Sequence, residues 1–372
     1  MVEIEGDGAR PCCWLWLALS TRQLPSTEPA ADQENTMKAI VQDEYGSPED
    51  VLELREIDKP VAKDHEVLVR VHAASVHPDV WHCVRGIPYI LRIMGGGLRR
   101  PKNLVPGTDL AGHVEAIGRD VTRFRPGDEV FGQSVGANLW RNGGAFAEYA
   151  AVREATLQLK PANLTFEQAA AVPTSGSIAV QGLRDEGRIQ PGQKVLINGA
   201  GGGVGAFAVQ LAKAYGAEVT GVDGPGKLDM VRSIGADHVI NYTQEDFTRS
   251  GERYDVILDI PGNHPWSDTR RALTAEGTYV LIGHDQYGAA GRRWIGSMGR
   301  FAKLLVMSPF VSQLHGLRGA KDPGDRLVVL KELIEAGKIT PAMDRTYPLS
   351  EVREAIRYLE EGRARGKIVI TV

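Results

Sequence analysis

The sequence predicts an α/β protein, with a doubly wound parallel sheet in its second half and a strand-rich domain beside it. Three observations carry this prediction. Residues 195–223, VLINGAGGGVGAFAVQLAKAYGAEVTGVD, run in order through an apolar strand, a glycine cluster, a helical stripe, a second apolar strand and an acid. After Leu164 short apolar runs alternate with helical patterns, as a parallel sheet with right-handed crossovers requires. Before Pro161 short apolar runs are cut by glycine turns, the mark of a strand-rich region.

Composition bounds the function. A chain of 372 residues, 42% of them apolar, has room for two domains of roughly 100–200 residues. A net charge of −4 and a pI near 6.2 give no electrostatic case for nucleic acid or for an anionic membrane. Three cysteines (Cys12, Cys13 and Cys83) supply neither a disulfide framework nor a four-cysteine zinc site, so a reducing cytoplasm is the expected location.

Taken in chain order, residues 1–36 read as a disordered extension. The apolar run CCWLWLAL is too short to span a bilayer, follows an acidic start, and leads into a polar linker. Met37 opens a strand-like segment, and HEVLVRVHAASV, GHVEAIG, GDEVFG and AEYAAV continue the strand-rich pattern. Strands are expected at 194–198, 218–223, 238–241, 255–259 and 278–283, with helices at 204–215 and 227–234 among them. Residues 290–318 set Trp294, Ile295, Met298, Phe301, Leu304 and Leu305 at helical spacing among basic residues. That pattern reads as an amphipathic helix packed on the protein or in a dimer contact, with membrane contact as the alternative. A helix at 325–336 and the strand-like YPL and KIVITV segments close the chain.

The glycine cluster has a specific physical logic. Gly202 lets the backbone approach a pyrophosphate, and Gly205 lets the helix pack close to the strand. The unpaired N–H groups and positive dipole end of that helix then face the phosphates, so Gly199, Gly202, Gly203, Val204 and Gly205 form the expected cofactor cradle. Asp223, closing the second strand, stands where a carboxylate hydrogen-bonds a ribose 2′-hydroxyl.

PGTDLAGHVEAIG (106–118), FRPGDEVFG (124–132), GGAFAEYAAV (143–152), GADHVINY (235–242) and the C-terminal segment 346–372 join the glycine turn in a larger pattern. From Met37 to Val372 the chain resembles the medium-chain dehydrogenase/reductase superfamily, in its zinc-free quinone oxidoreductase-like branch. The resemblance implies a GroES-like catalytic domain from 37–162 and 311–372, a Rossmann NAD(P)-binding domain over 163–310, and an active-site cleft between them. It also implies a homodimer and a small-molecule quinone or enone substrate.

The same resemblance bears on zinc. In the zinc-dependent branch the positions matching His77, Thr108 and a site close to Ala170 are cysteine, histidine and cysteine. Here only His77 and Asp109 could coordinate, short of the three ligands a catalytic zinc takes, so no metal is expected. Without a Lewis acid, hydride delivery to a conjugated acceptor is easier than alcohol oxidation, because the charge spreads onto an enolate or hydroquinone oxygen.

The loop SVHPDVWHCVRG (75–86) matches the floor of the family's substrate cleft. The resemblance places His82 as proton donor or orienting group, His77 against the nicotinamide ribose or substrate, and Asp79 and Trp81 as pocket walls, Trp81 stacking on a flat acceptor. It places Thr174 against the nicotinamide and Gly283 among the cofactor contacts. Lys227 and Tyr242 resemble the phosphate-contacting positions of NADPH-dependent relatives, whereas Asp223 argues for NADH. NADPH is the expected cofactor and NADH the alternative. Two other functions stay open: an alcohol or aldehyde dehydrogenase, and a nucleotide-binding sensor or scaffold without turnover.

Overall fold

A computed structural model describes residues 35–135, 141–283, 293–296, 298–314 and 324–372. The N-terminal extension, except for its last residues, and parts of the 290–318 segment lie outside the described residues. Strands β1 (Thr36–Gln42) and β2 (Leu52–Asp58) form an antiparallel pair joined through the short helix α1 (Pro48–Val51). The 11-residue β3 (Glu66–Val76) is the axis of a larger sheet. Its run EVLVRVHAASV is buried along most of its length because other strands flank it on both sides. Helix α2 (Pro78–Arg85) leaves its end, with proline in the first turn and Gly86 closing it in the left-handed conformation at φ 62°. Then follow β4 (Asp109–Ile117), β5 (Glu129–Gln133), β6 (Tyr149–Arg153) and β7 (Leu157–Leu159).

The chain next crosses to the second sheet. Helix α3 (Phe166–Ala170) starts at a capping box in which Thr165 and Gln168 satisfy each other's backbone N–H groups. Helix α4 (Pro173–Val180) follows, and then the alternation read from sequence: β8 (Lys194–Asn198), α5 (Gly203–Ala214), β9 (Glu218–Asp223), α6 (Leu228–Ser233), β10 (His238–Asn241), β11 (Tyr254–Asp259), α7 (Trp266–Thr269) and β12 (Leu273–Leu281). The five strands are parallel in the order β10-β9-β8-β11-β12. β12 begins five residues before its expected start, because Leu273 already pairs with Tyr254 of β11 and the polar stretch TAEG lies in a register irregularity before Thr278 resumes the pairing.

Period-two alternation explains the packing of this sheet. Val195, Ile197, Val219 and Leu258 face the core shared with α4 and α5, while Leu196, Val222, Ile257 and Tyr279 face the opposite core. Helix α8 (Met298–Met307) adds Leu304 to that second core. Helix α9 (Gly324–Glu335) sends Leu327, Leu330 and Ile334 into the first, with Leu330 resting where Gly176 of α4 has no side chain. Residues 324–339 therefore pack with the parallel sheet.

Strand β13 (Met343–Pro348), helix α10 (Val352–Glu360) and β14 (Lys367–Thr371) return to the strand-rich sheet. Its order is β13-β14-β3-β4-β5-β7, with β6 also on β3. Helix α10 buries Val352, Ala355, Ile356 and Leu359, an i, i+3, i+4, i+7 stripe against that sheet's core. Both chain ends thus build one sheet while the middle builds the other, and Thr36–Val372 form a single unit. This is the GroES-like plus Rossmann α/β arrangement expected from the sequence.

Candidate active site

Strand order reverses at β8: β9 and β10 lie to one side of it, β11 and β12 to the other. Loops leaving β8 and β11 at their carboxyl ends therefore diverge and leave a crevice. A cleft of about 600 Å³ lies there, lined by the turn after β8, by Ile260, Pro261 and Asn263 after β11, and by the start of α2 from the strand-rich side. Asn198, the last residue of β8, ties the two loops together by donating to Asp259 at 2.9 Å and to Asn263 at 3.0 Å.

At one end the cleft is made of backbone. Gly199, at φ 86°, turns the chain out of β8, and its N–H donates to Val222 O at 2.9 Å. Gly202 is the N-cap of α5, and no side chain caps that helix, so its first N–H groups are left to a ligand. A Cβ on Gly205 would sit 2.1 Å from Gly199 O and 2.6 Å from Ala200 Cα, contacts that only glycine avoids. Gly202 is the opposite case: a Cβ there would meet no protein atom nearer than 3.5 Å and would project into the space a pyrophosphate needs. Asp223 lines the same end, but both its carboxylate oxygens are engaged, Oδ2 by Gly201 N–H at 2.7 Å and Oδ1 by Gly224 N–H at 2.8 Å. Lys227 and the exposed Tyr242 stand beside it on the cleft wall.

The other end is made of side chains brought from distant segments. Asp109 opens β4, fully buried; its Oδ1 accepts from Thr174 Oγ1 at 2.5 Å, and its Oδ2 from Thr174 N–H at 3.1 Å and Ser75 Oγ at 3.2 Å. Gln133 Nε2 completes Thr174 at 2.8 Å. The ammonium of Lys367, first residue of β14, lies 3.8 Å from Asp109 Oδ2 and donates to Val76 O at 3.3 Å. Burial holds Lys367 below the ordinary lysine pKa, and the carboxylates of Asp109 and Asp79 oppose that shift. A buried ion pair is tolerated because surrounding donors and acceptors satisfy its remaining polar atoms. The preceding residue knits this strand to the glycine turn, since Gly366 N–H donates to Gly201 O at 3.0 Å.

His77 stands between β3 and α2 with its Nε2 2.6 Å from Thr108 Oγ1. Its Nδ1 lies 3.2 Å from Asp79 Oδ2. Both residues line the cleft, as do Thr174, Gly199, Gly202, Gly203, Val204, Gly205, Asp223, Lys227, Tyr242 and Gly283. The other two catalytic candidates do not line this cleft. Trp81 is buried with Val80 and Val84 in the core of the strand-rich sheet. His82 lies a helical turn beyond Asp79, borders a separate small hollow, and has its Nδ1 2.7 Å from Ile87 O. Sequence reasoning missed Lys367 and Asn198. Lys367 carried a signal, a lone charge opening the otherwise apolar strand KIVITV, whereas an asparagine ending a strand carries none.

Comparison with known proteins agrees with this geometry. The family described as "Alcohol dehydrogenase GroES-like domain" matches residues 63–162, and the one described as "Zinc-binding dehydrogenase" matches 234–370. The mitochondrial NAD(P)H oxidoreductase RTN4IP1 of Mus musculus is 30% identical over 98% of this chain and 96% of its own length. The chloroplastic NADPH-dependent alkenal/one oxidoreductase of Arabidopsis thaliana is 34% identical over 90% of this chain and 79% of its own. Among solved structures, the quinone oxidoreductase from Coxiella burnetii superimposes with a TM-score of 0.76 at 29% identity, covering 91% of this chain and 99% of that one.

Proposed function

The chain belongs to the medium-chain dehydrogenase/reductase superfamily, in its quinone oxidoreductase-like branch, and from that premise and the cleft we infer an NAD(P)H-dependent oxidoreductase that reduces quinones or α,β-unsaturated carbonyls without zinc. The observation that carries the reading is the meeting, across one crevice, of a backbone anion cradle and a buried Lys367–Asp109–Thr174 network.

A bound reduced dinucleotide supplies the hydride. The chain's own residues bind, orient and stabilise. Helix α5 presents its N-terminus to the pyrophosphate. Thr174, fixed at both backbone and side chain by Asp109, orients the nicotinamide end. Lys367 contributes a preorganised positive charge at the place where an enolate or hydroquinone oxyanion develops. His77, on the cleft wall with Asp79 at its other nitrogen, replaces His82 as the group placed to deliver the proton.

Zinc does not fit these residues. His77 Nε2 is engaged by Thr108 where a ligand would stand, the oxygens of Asp109 are taken by Thr174 and Ser75, and Ala170 is a buried apolar residue. NADPH is the proposed cofactor, supported by the engagement of Asp223 with backbone N–H groups and by Lys227 on the open wall beside it. The test is the loss of 340 nm absorbance with NADPH and NADH side by side, against quinones and enones, with and without EDTA. Acceptor-dependent NADPH oxidation that survives EDTA supports the reading. Preference for NADH gives Asp223 the deciding role, metal-dependent alcohol turnover supports a dehydrogenase, and binding without turnover supports a sensor.

A further inference from the structure

Beside the cleft lies a surface that the proposed chemistry does not use. Helix α8 packs Phe301 and Leu304 inward, yet Leu305 and Val306 stand outward beside the exposed Lys303. Trp294 is 75% exposed, Val306 73% and Phe310 87%, with Ile295 and Leu305 about half exposed. The segment is fastened to the loop after α2, where Tyr89 N–H donates to Arg293 O at 2.7 Å, Ile90 N–H donates to Trp294 O at 3.0 Å, and the Tyr89 and Trp294 rings meet edge to face. That loop exposes Ile93 (72%) and Leu98 (70%) in turn. Apolar exposure on this scale marks an interaction site.

Charge identifies the partner. The chain carries 47 acidic residues among 372, but neither 85–105 nor 293–314 contains one. Arg99, Arg100, Lys102, Arg293 and Lys303 are exposed in these two segments. A second copy of the chain docked symmetrically through this face would set like charges against one another. The apolar side chains are mostly aliphatic, suited to acyl chains rather than to stacking on bases. No helix among the described residues is long and apolar enough to cross a membrane.

We propose that this face, formed by the loop 87–104 and the segment 293–310, seats the protein on an anionic phospholipid bilayer. Trp294, Leu305, Val306 and Phe310 enter the interface while the five cations hold the headgroups. The cleft is then adjacent to the lipid, because Phe301 of α8 packs where Gly283 of the cleft wall has no side chain. The binding itself does not depend on the enzymatic reading, and its test uses no turnover.

The experiment is flotation of the full chain with vesicles of phosphatidylcholine alone or with about a third phosphatidylserine, near physiological ionic strength. Recovery with the serine lipid is expected, falling about tenfold or more on phosphatidylcholine alone, in high salt, and in R293E/K303E or W294S/F310S. Unchanged melting temperature and NADPH-induced fluorescence quenching certify that the variants are folded. Equal recovery on both vesicle types, or none on either, overturns the proposal. So does a dimer in light scattering that W294S/F310S converts to monomer, since a second copy would then cover this face.

Discussion

The two ends of the cleft are built on different principles. The glycine-turn end is almost entirely backbone, drawn from one contiguous stretch of chain, and its demands are steric: Gly205 must lack a Cβ and Gly202 must leave space. The acceptor end is almost entirely side chain, gathered from Ser75, Asp109, Gln133, Thr174 and Lys367 on five separate segments. Contiguous backbone sites survive surface change and fail abruptly when a glycine is lost. A dispersed polar network changes gradually, in rate rather than in fold.

Substitutions can break or sharpen this contrast. The largest effect is expected from Gly205→Ala, whose methyl would collide with the backbone of Gly199 and Ala200. Nucleotide binding and cooperative melting should both be lost, by about 3 kcal/mol or more. Gly202→Ala should separate the two demands: melting stays normal, while NADPH titration by fluorescence reports about tenfold or more weaker binding, because the methyl occupies only ligand space.

At the other end, Lys367→Met should lower kcat about a hundredfold while the NADPH dissociation constant moves less than about threefold. The pH profile supplies a second readout. Burial lowers the Lys367 pKa, so its positive charge is lost at a lower pH than that of an ordinary lysine, and wild-type kcat should fall on an alkaline limb that the methionine variant lacks. Stability moves in the opposite direction. Between the depressed folded value and the unfolded 10.5, the unfolded chain binds more protons, so wild-type stability rises with pH through that window.

Smaller effects bear on the walls. Lys227→Ala should raise the KM for NADPH about tenfold and leave that for NADH nearly unchanged, measured as initial rates with one quinone. His82→Gln should change kcat by less than about threefold, since the ring lies off the cleft and is held by Ile87 O. A hundredfold loss would return His82 to the chemistry and displace His77.

Much of this molecule was legible without coordinates, for an identifiable reason. The parallel strands, the helix after the glycine turn and the alternation of buried faces are written in local periodicity. Observed boundaries such as Lys194–Asn198, Glu218–Asp223 and His238–Asn241 coincide with the apolar runs that predict them. β12 departed from expectation because Leu273 pairs with Tyr254 across a polar irregularity that no local rule marks as strand. At the start of α2 the sequence places His77, Asp79, Trp81 and His82 close together, but the packing of β3 and β4 decides which of them face the cleft. The sheet core takes Trp81, and Ile87 O takes the His82 ring.

What the sequence by itself determined is the glycine turn and the two-sheet class, because both rest on spacings within a few residues: a Cβ excluded here, a strand period there. What only the tertiary structure decided is the acceptor end. Lys367 and Asp109 are 258 positions apart in sequence, and their ammonium and carboxylate groups come within 3.8 Å only because β14 and β4 flank β3 on opposite sides. Long-range strand pairing sets that distance, and no local pattern encodes it.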